Sequence, residues 1–243
     1  MPDPRFVLYV AVLFLVGAVL IRAIHVIHGV GPDRRRRDWL KYAIYMVVIN
    51  GLWASAFAGR GVAGVVLGCI VVTGTLEIHR VARPAAPAAM IALPLFTAAL
   101  FPMLDWRTPG WQSHFAFVVV VTASVDGFGE IVGRLIGRHR LVPRLSPGKT
   151  VEGLVGGLVV AVLVAVATGF MTPWSEVGPL VIVGLVTSAG AVAGDLAFSA
   201  IKRRAGVKDF SGILPGHGGI LDRFDSLLLA APAFALARLL LAG

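Results

Sequence analysis

The chain has 243 residues, of which 57% are apolar and only 14% charged, and its mean hydropathy is +0.85. A soluble domain carries roughly 25% charged residues, so the composition excludes an ordinary water-soluble globular domain and indicates a membrane protein. The net charge of +9 would suggest a nucleic-acid ligand in a soluble chain, but here the placement of the cations assigns them to membrane topology instead.

Apolar runs long enough to cross a hydrocarbon core of roughly 30 Å fall at 5–24, 40–58, 61–78, 85–104, 113–131, 153–171, 178–198 and 226–242. The predicted fold is all-α, a polytopic membrane bundle of about eight transmembrane helices. No small-residue cleavage site follows the first run, which therefore reads as a retained helix. Cys69 lies within an apolar run, has no partner for an intrachain disulfide, and reads as a packing residue.

Lys and Arg then set the orientation. Arg34 to Arg37, Lys41, Arg80, Arg83, Arg134, Arg138, Arg140, Arg144, Lys149, Lys202, Arg203, Arg204, Lys208 and Arg223 fall on one set of connections. Arg5, Arg60, Arg107 and Arg238 fall on the other. The positive-inside rule makes the first set cytoplasmic and predicts an integral protein of the cytoplasmic (inner) membrane. Trp106, Trp111 and Trp174, on the opposite side, fit an interfacial aromatic belt. Glycines recur every fourth residue at Gly129, Gly133 and Gly137, at Gly153 and Gly157, and at Gly190 and Gly194, a spacing that lets membrane helices approach closely. Residues 1–112 hold the first four spans. Residues 113–243 form the catalytic transmembrane region, with cytoplasmic loops at 132–152 and 199–225, and the two parts read as one structural unit.

The second loop is the richest in chemistry. Asp195, Ser199, Lys202 and Arg203 stand at i, i+4, i+7 and i+8, one stripe of a helix. After the Pro215–Gly219 stretch, Asp222 and Asp225 stand at i and i+3 and share a face at the start of the last span. An acid, a hydroxyl, cations and paired carboxylates at a membrane edge suit nucleotidyl transfer to a phosphorylated lipid. Lys and Arg hold the phosphates, and a divalent ion on one or two carboxylates neutralises the rest. Glycines around His217 let backbone N–H groups approach phosphate oxygens. A solvated interfacial loop with an Asp222–Arg223 pair would explain the cations, but neither Asp195 at the membrane edge nor the glycines beside His217. The residues alone do not separate Asp222 from Asp225 as the metal ligand.

In the first loop, Thr150 is placed to cap the following helix, whose N-terminus would face an anion beside Lys149. Gly148, Lys149 and Thr150 do not make a nucleotide-binding P-loop, because that motif needs glycine where Pro143 stands and a preceding strand. Asp126 and Glu130 lie one helical turn apart at the inner part of the fifth span, which is costly without a cation or donor nearby.

Ser199, Lys202, Arg203, Lys208, Asp209, Ser211, Leu214, Pro215, His217, Gly218, Gly219, Asp222, Arg223 and Asp225 together resemble the signature of the CDP-diacylglycerol synthase (phosphatidate cytidylyltransferase) family. Ser146, Pro147, Lys149, Thr150, Glu152 and Gly153 resemble a second segment of that family. The resemblance covers roughly residues 120–243. It implies metal-ligand roles for Asp195 and Asp222, phosphate contacts from Lys202, Arg203 and Lys208, and a site-lining hydroxyl on Ser199. Around Asp126 the chain departs from the family pattern, with Phe128, Gly129 and Glu130 where an Ala-Tyr pair is usual, and this bears on the lipid acceptor.

The expected site thus has Asp195, Lys202 and Asp222 in catalysis. Asp126, Lys149, Ser199, Arg203, Lys208, His217 and Arg223 face CTP or lipid phosphate. Asp195, Asp222 and Asp225 face Mg²⁺, alone or with a second cation. The expected partners are CTP, phosphatidate or a related anionic lipid, the membrane, and a second copy of the chain (the last from the resemblance). The expected reaction makes a CDP-activated lipid and pyrophosphate. A CTP-dependent polyprenol or phytol-like kinase, and an ion-coupled transporter using Asp126, Glu130 and Asp195, are the alternatives. His25 and His28 read as solvated interfacial residues, Glu77 and His79 as a local interfacial pair, and His114 as remote from the chemistry. Arg34 to Arg37 read as a topology anchor that attracts anionic headgroups.

Overall fold

The computed structural model describes residues 1–81, 110–213 and 218–241. Its elements are α1 (Pro4–Ile27), α2 (Pro32–Ala58), α3 (Arg60–Val81), α4 (Trp111–Ile136), β1 (Arg140–Val142), β2 (Ser146–Thr150), α5 (Val151–Ala167), a 3-10 turn (Gly169–Met171), α6 (Val177–Arg204) and α7 (Leu221–Leu241). The protein is an all-α membrane bundle. Six helices among the described residues, all but α5, are long and apolar enough to cross a membrane. The shorter α5 and its 3-10 turn occupy the run expected at 153–171. The run expected at 85–104, with Arg83, Trp106 and Arg107, lies outside the described residues, so about eight spans is not the number seen.

Helix ends explain most departures from the apolar runs. The Asp3 side chain accepts from Arg5 N at 2.8 Å and Pro4 occupies the first turn, so α1 starts where the chain can satisfy it. α2 begins at Pro32 and carries Arg34 to Arg37 on its first turns, eight residues ahead of the run read from hydropathy. α6 continues without a break through Asp195, Ser199 and Lys202 to Arg204, and its cations lie in the last turn, where the helix dipole favours them. The expected single-stripe geometry is therefore present. The 132–152 loop is more ordered than expected. It forms an antiparallel hairpin in which Arg140 pairs with Thr150 and Val142 with Ser146.

α4 is the central helix, packing against α1, α2, α5, α6 and α7. The glycine spacing does what was expected of it. A Cβ on Gly153 would lie 2.6 Å from the Gly129 carbonyl oxygen, and one on Gly194 would lie 2.5 Å from the Asp225 carbonyl oxygen. Both crossings, α4 on α5 and α6 on α7, therefore need a bare backbone. The second brings Asp195 and Asp225 onto facing helices.

Four expectations are corrected. Trp111 is 4% exposed and belongs to the core, so it does not join a lipid-facing belt, whereas Trp174 is half-buried and packs on Phe234 with ring centroids 6.3 Å apart. Cys69 is exposed on the outer surface of the bundle and does not pack inside it. His25 is fully buried, its Nε2 is 2.9 Å from Asp38 Oδ2, and Arg134 Nη2 donates to the same oxygen at 2.6 Å. This three-residue tie joins α1, α2 and α4, and a low-dielectric interior rewards such pairing where solvation is lost. Finally, Glu77 is 1% exposed while His79 is exposed, so the two do not form a local surface pair.

Candidate active site

Two charged lysines held between four aspartates define the centre of the site. Lys202 comes from the last turn of α6, and Asp222 and Asp225 from the first turns of α7. All three are buried, at 6 to 7% exposure. Lys202 Nζ donates to Asp222 Oδ1 at 2.7 Å, lies 3.5 Å from Asp225 Oδ2, and stands 5.3 Å above the Phe210 ring. Charges survive such burial only when paired and hydrogen-bonded.

Asp222 is the most heavily engaged carboxylate. Besides Lys202, its Oδ2 accepts from Phe210 N at 2.9 Å and from Gly219 N at 2.8 Å. The second bond reaches back three residues, as the acid of a capping box does. Gly218 has φ +81°, and a Cβ there would lie 2.7 Å from Asp222 Oδ2. Only glycine combines that backbone conformation with that contact. The paired glycines of the signature thus shape a cradle for a carboxylate.

Lys149 reaches the same end of the bundle from β2. Its ammonium pairs with Asp195 Oδ2, and Ser199 Oγ donates to Asp195 Oδ1 at 3.4 Å. The local sequence fixes this lysine. The Thr150 side chain caps α5 by accepting from Gly153 N at 3.1 Å, as expected. Glu152 accepts from Arg138 N at 3.0 Å and His139 N at 3.2 Å, and its Oε1 is 2.6 Å from His139 Nδ1. Its own backbone N–H first, then these partners, pull the Glu152 carboxyl down to about 2. The hairpin is thereby closed against the start of α5. Asp126 of α4 completes the cluster, next to the Ser226 hydroxyl and in the field of Lys149, Asp195 and Arg223.

The structure therefore brings together Asp126, Lys149, Asp195, Ser199, Lys202, Asp222 and Asp225. It does not bring all the expected phosphate contacts with them. Arg203 is exposed and donates to the Leu145 carbonyl at 3.1 Å and the Val207 carbonyl at 2.9 Å, tying the end of α6 to the hairpin. Lys208 and Arg223 are exposed at the rim. Glu130, one turn along α4 from Asp126, is exposed, with Arg134 Nη1 3.6 Å away. His217 lies outside the described residues.

Among the described residues, no three His, Cys, Asp or Glu side chains converge on one ion position. Mg²⁺ does not require three, since it binds through one or two carboxylates with substrate phosphates and water. The donor set fits such an ion. Among the described residues Asp195 Oδ1 and Asp225 Oδ2 have long contacts, 3.4 and 3.5 Å, whereas Asp222 already accepts from three donors at 2.7 to 2.9 Å. Four aspartates stand against Lys149 and Lys202, with Arg223 at the rim, so carboxyl groups outnumber the cations around them.

Sequence reading missed one member of this site, Glu77 of α3. Its Oε1 accepts from Ser211 Oγ at 2.6 Å and Ile220 N at 3.0 Å, and its Oε2 accepts from Leu221 N at 2.8 Å. The available signal was an acid inside an otherwise apolar helix, which demands a partner.

Comparison with known proteins gives the family. A model of the cytidylyltransferase family matches residues 5–241. A phosphatidate cytidylyltransferase of Staphylococcus haemolyticus is 43% identical over 119 residues, 49% of this chain and 45% of that protein. One from Mycobacterium leprae is 40% identical over 155 residues, 61% of this chain and 48% of that protein. The uncharacterized protein YnbB of Escherichia coli is 43% identical over 119 residues, 49% of this chain and 40% of that protein. The chain spans about half the length of the curated relatives it matches.

Proposed function

We propose, for a chain that belongs to the cytidylyltransferase family, that it transfers the cytidylyl group of CTP to phosphatidate or a closely related lipid phosphate. An ionised phosphate oxygen of the lipid attacks the α-phosphorus of CTP. The bond from that phosphorus to the oxygen bridging to the β-phosphate breaks, and pyrophosphate leaves with the bond's electrons. The nucleophile is already deprotonated, so the site needs no general base. Its work is to position anions and to stabilise charge.

The observation that carries this reading is the meeting of Lys149 and Asp195 with Lys202, Asp222 and Asp225, drawn from both motif loops to one end of α6. Lys149, with its side chain 27% exposed, exchanges Asp195 for a phosphate of CTP. Lys202, at 9%, stays within the protein and holds the α7 aspartates in place. Mg²⁺ would be held by Asp195 and Asp225, with Asp222 organising the loop, and would supply electrostatic stabilisation of the triphosphate. Ser199 orients Asp195, and Asp126 with Ser226 closes the side toward α4. An apolar crevice of only about 60 Å³ between α1, α2 and α4, lined by Phe14, Tyr42, Tyr45, Gly127 and Phe128, marks the side of the bundle from which we infer that an acyl chain approaches, the crevice widening to admit it. Placement of Lys and Arg supports a cytoplasmic orientation of this end.

The test is to incubate purified protein in lipid bilayers with Mg²⁺, phosphatidate and CTP labelled in the cytosine ring. Label in the organic extract, lost with Asp225→Asn, is the expected result. No lipid label with phosphatidate or related lipid phosphates, from protein shown to be folded, overturns the reading.

A further inference from the structure

We propose that Glu77 of α3 is a positioning residue for the transfer site, acting through the first turn of α7 on Asp222 and Asp225. Its kinetic consequence rests on the cytidylyltransferase reading; its structural consequence does not.

The first backbone N–H groups of a helix have no intrahelical partners. A side chain of the residue just before the helix usually accepts from them. α7 is preceded by Ile220, which has no acceptor on its side chain. The acceptor comes instead from a different helix, 143 and 144 residues away in the chain, as Glu77 takes Ile220 N and Leu221 N on its two oxygens. A carboxylate there also complements the positive end of the helix dipole. Ser211 Oγ donates to the same group, so the segment leaving α6 and the start of α7 are gathered on one side chain.

The amides of this turn are divided between two acids. Gly219 N goes to Asp222, and the next two go to Glu77. A Cβ on Gly219 would lie 2.6 Å from both Glu77 oxygens, as one on Gly218 would lie 2.7 Å from Asp222 Oδ2. Each glycine of the pair thus makes room for one acid. Asp222 immediately follows Leu221, so the Glu77 contacts fix the register at which Asp222 meets Lys202. Displacement of reacting groups by about 1 Å costs on the order of a hundredfold in rate. Glu77 touches no reacting atom in this account. It sets where the groups that do so stand.

The test uses the full chain in nanodiscs of one lipid composition, comparing wild type with Glu77→Gln, Glu77→Ala and Ser211→Ala. Amide hydrogen exchange over residues 218–222 and the kinetics with CTP and phosphatidate are measured on the same preparations. For Glu77→Ala, exchange at Ile220 and Leu221 should rise about fivefold or more, with α4 and α5 unchanged. The value of kcat should fall by about a hundredfold, with KM for CTP within about twofold. Glu77→Gln should lie between wild type and Glu77→Ala in both readouts, because its amide oxygen still accepts from one backbone N–H. If Glu77→Ala does not fold, Glu77→Gln and Ser211→Ala give the same ordering at smaller amplitude. Unchanged exchange in the variants, or raised exchange with kcat intact, overturns the proposal. If wild type transfers no label to any lipid, the cytidylyltransferase reading fails, while exchange still decides whether Glu77 holds α7.

Discussion

Replacing Asp222 by Asn removes one charge and changes almost no volume, yet the structure makes it a severe perturbation of the fold. The Asp222 side chain is 2% exposed and that of Lys202 9%. Three donors converge on it, Lys202 Nζ at 2.7 Å, Gly219 N at 2.8 Å and Phe210 N at 2.9 Å. An amide offers one acceptor oxygen and two donors. Whichever way Asn turns, its NH₂ faces either an ammonium or two backbone N–H groups. The loss of a charge-assisted bond, about 1.5–3 kcal/mol, adds to about 1–3 kcal/mol for a buried donor left unpaired. The expected destabilisation is about 3–5 kcal/mol, in line with the removal of one partner from a buried ion pair. Equilibrium unfolding in mixed micelles, followed by tryptophan fluorescence, measures it. The double variant Lys202→Met with Asp222→Asn should be less destabilised than the sum of the singles, by about 1.5 kcal/mol or more. An Asp222→Asn protein within about 0.5 kcal/mol of wild type, with no coupling to Lys202, would refute the reasoning. Inactivity of Asp222→Asn alone would therefore not identify a metal ligand. Asp225→Asn is the cleaner probe, since among the described residues the side-chain donor beside its Oδ2 is the Lys202 ammonium, 3.5 Å away.

Three further outcomes are expected. Gly153→Ala puts a Cβ 2.6 Å from the Gly129 carbonyl oxygen and should destabilise by about 1–3 kcal/mol, whereas Gly148→Ala, with nothing within 4 Å, should be near neutral in the same unfolding assay. The Glu152 carboxyl is lowered from 4.5 to about 2, so its hold on the hairpin is full above about 4.5 and is lost as pH falls towards about 2; amide exchange at Arg138 and His139 should rise over that window, and Glu152→Gln should abolish the pH dependence. Gly127→Leu narrows the crevice against Tyr45, whose ring lies 3.7 Å from a Cβ at that position, and should raise KM for a long-chain lipid several-fold while leaving KM for CTP unchanged.

Most of the site was legible because its parts lie close in sequence and are marked by chemistry unusual in a membrane chain. The i, i+4, i+7 stripe of Asp195, Ser199 and Lys202 needed only an unbroken helix, and α6 supplies it. Thr150 announced a cap by type and position, and the glycine spacing announced two close crossings. The remainder depended on contacts that no local pattern records. Glu77 finds its donors in backbone amides far along the chain, and backbone amides have no sequence signature. His25 looked like an interfacial residue beside an arginine run, and only the packing of α1, α2 and α4 encloses it with Asp38 and Arg134. The ties from Arg203 to the Leu145 and Val207 carbonyls were not legible either, because one of them depends on the hairpin. That hairpin was hidden because Ser146, Pro147 and Gly148 carry no alternating apolar pattern.

The proposed transfer requires attack at the α-phosphorus of CTP. It is tested most directly by running the reaction in parallel with CTP labelled at the α-phosphate and at the γ-phosphate. The account predicts α-label in the lipid and γ-label released as pyrophosphate, in equal amounts. Transfer of γ-label to the lipid, with α-label left in CDP, would show a kinase and contradict it.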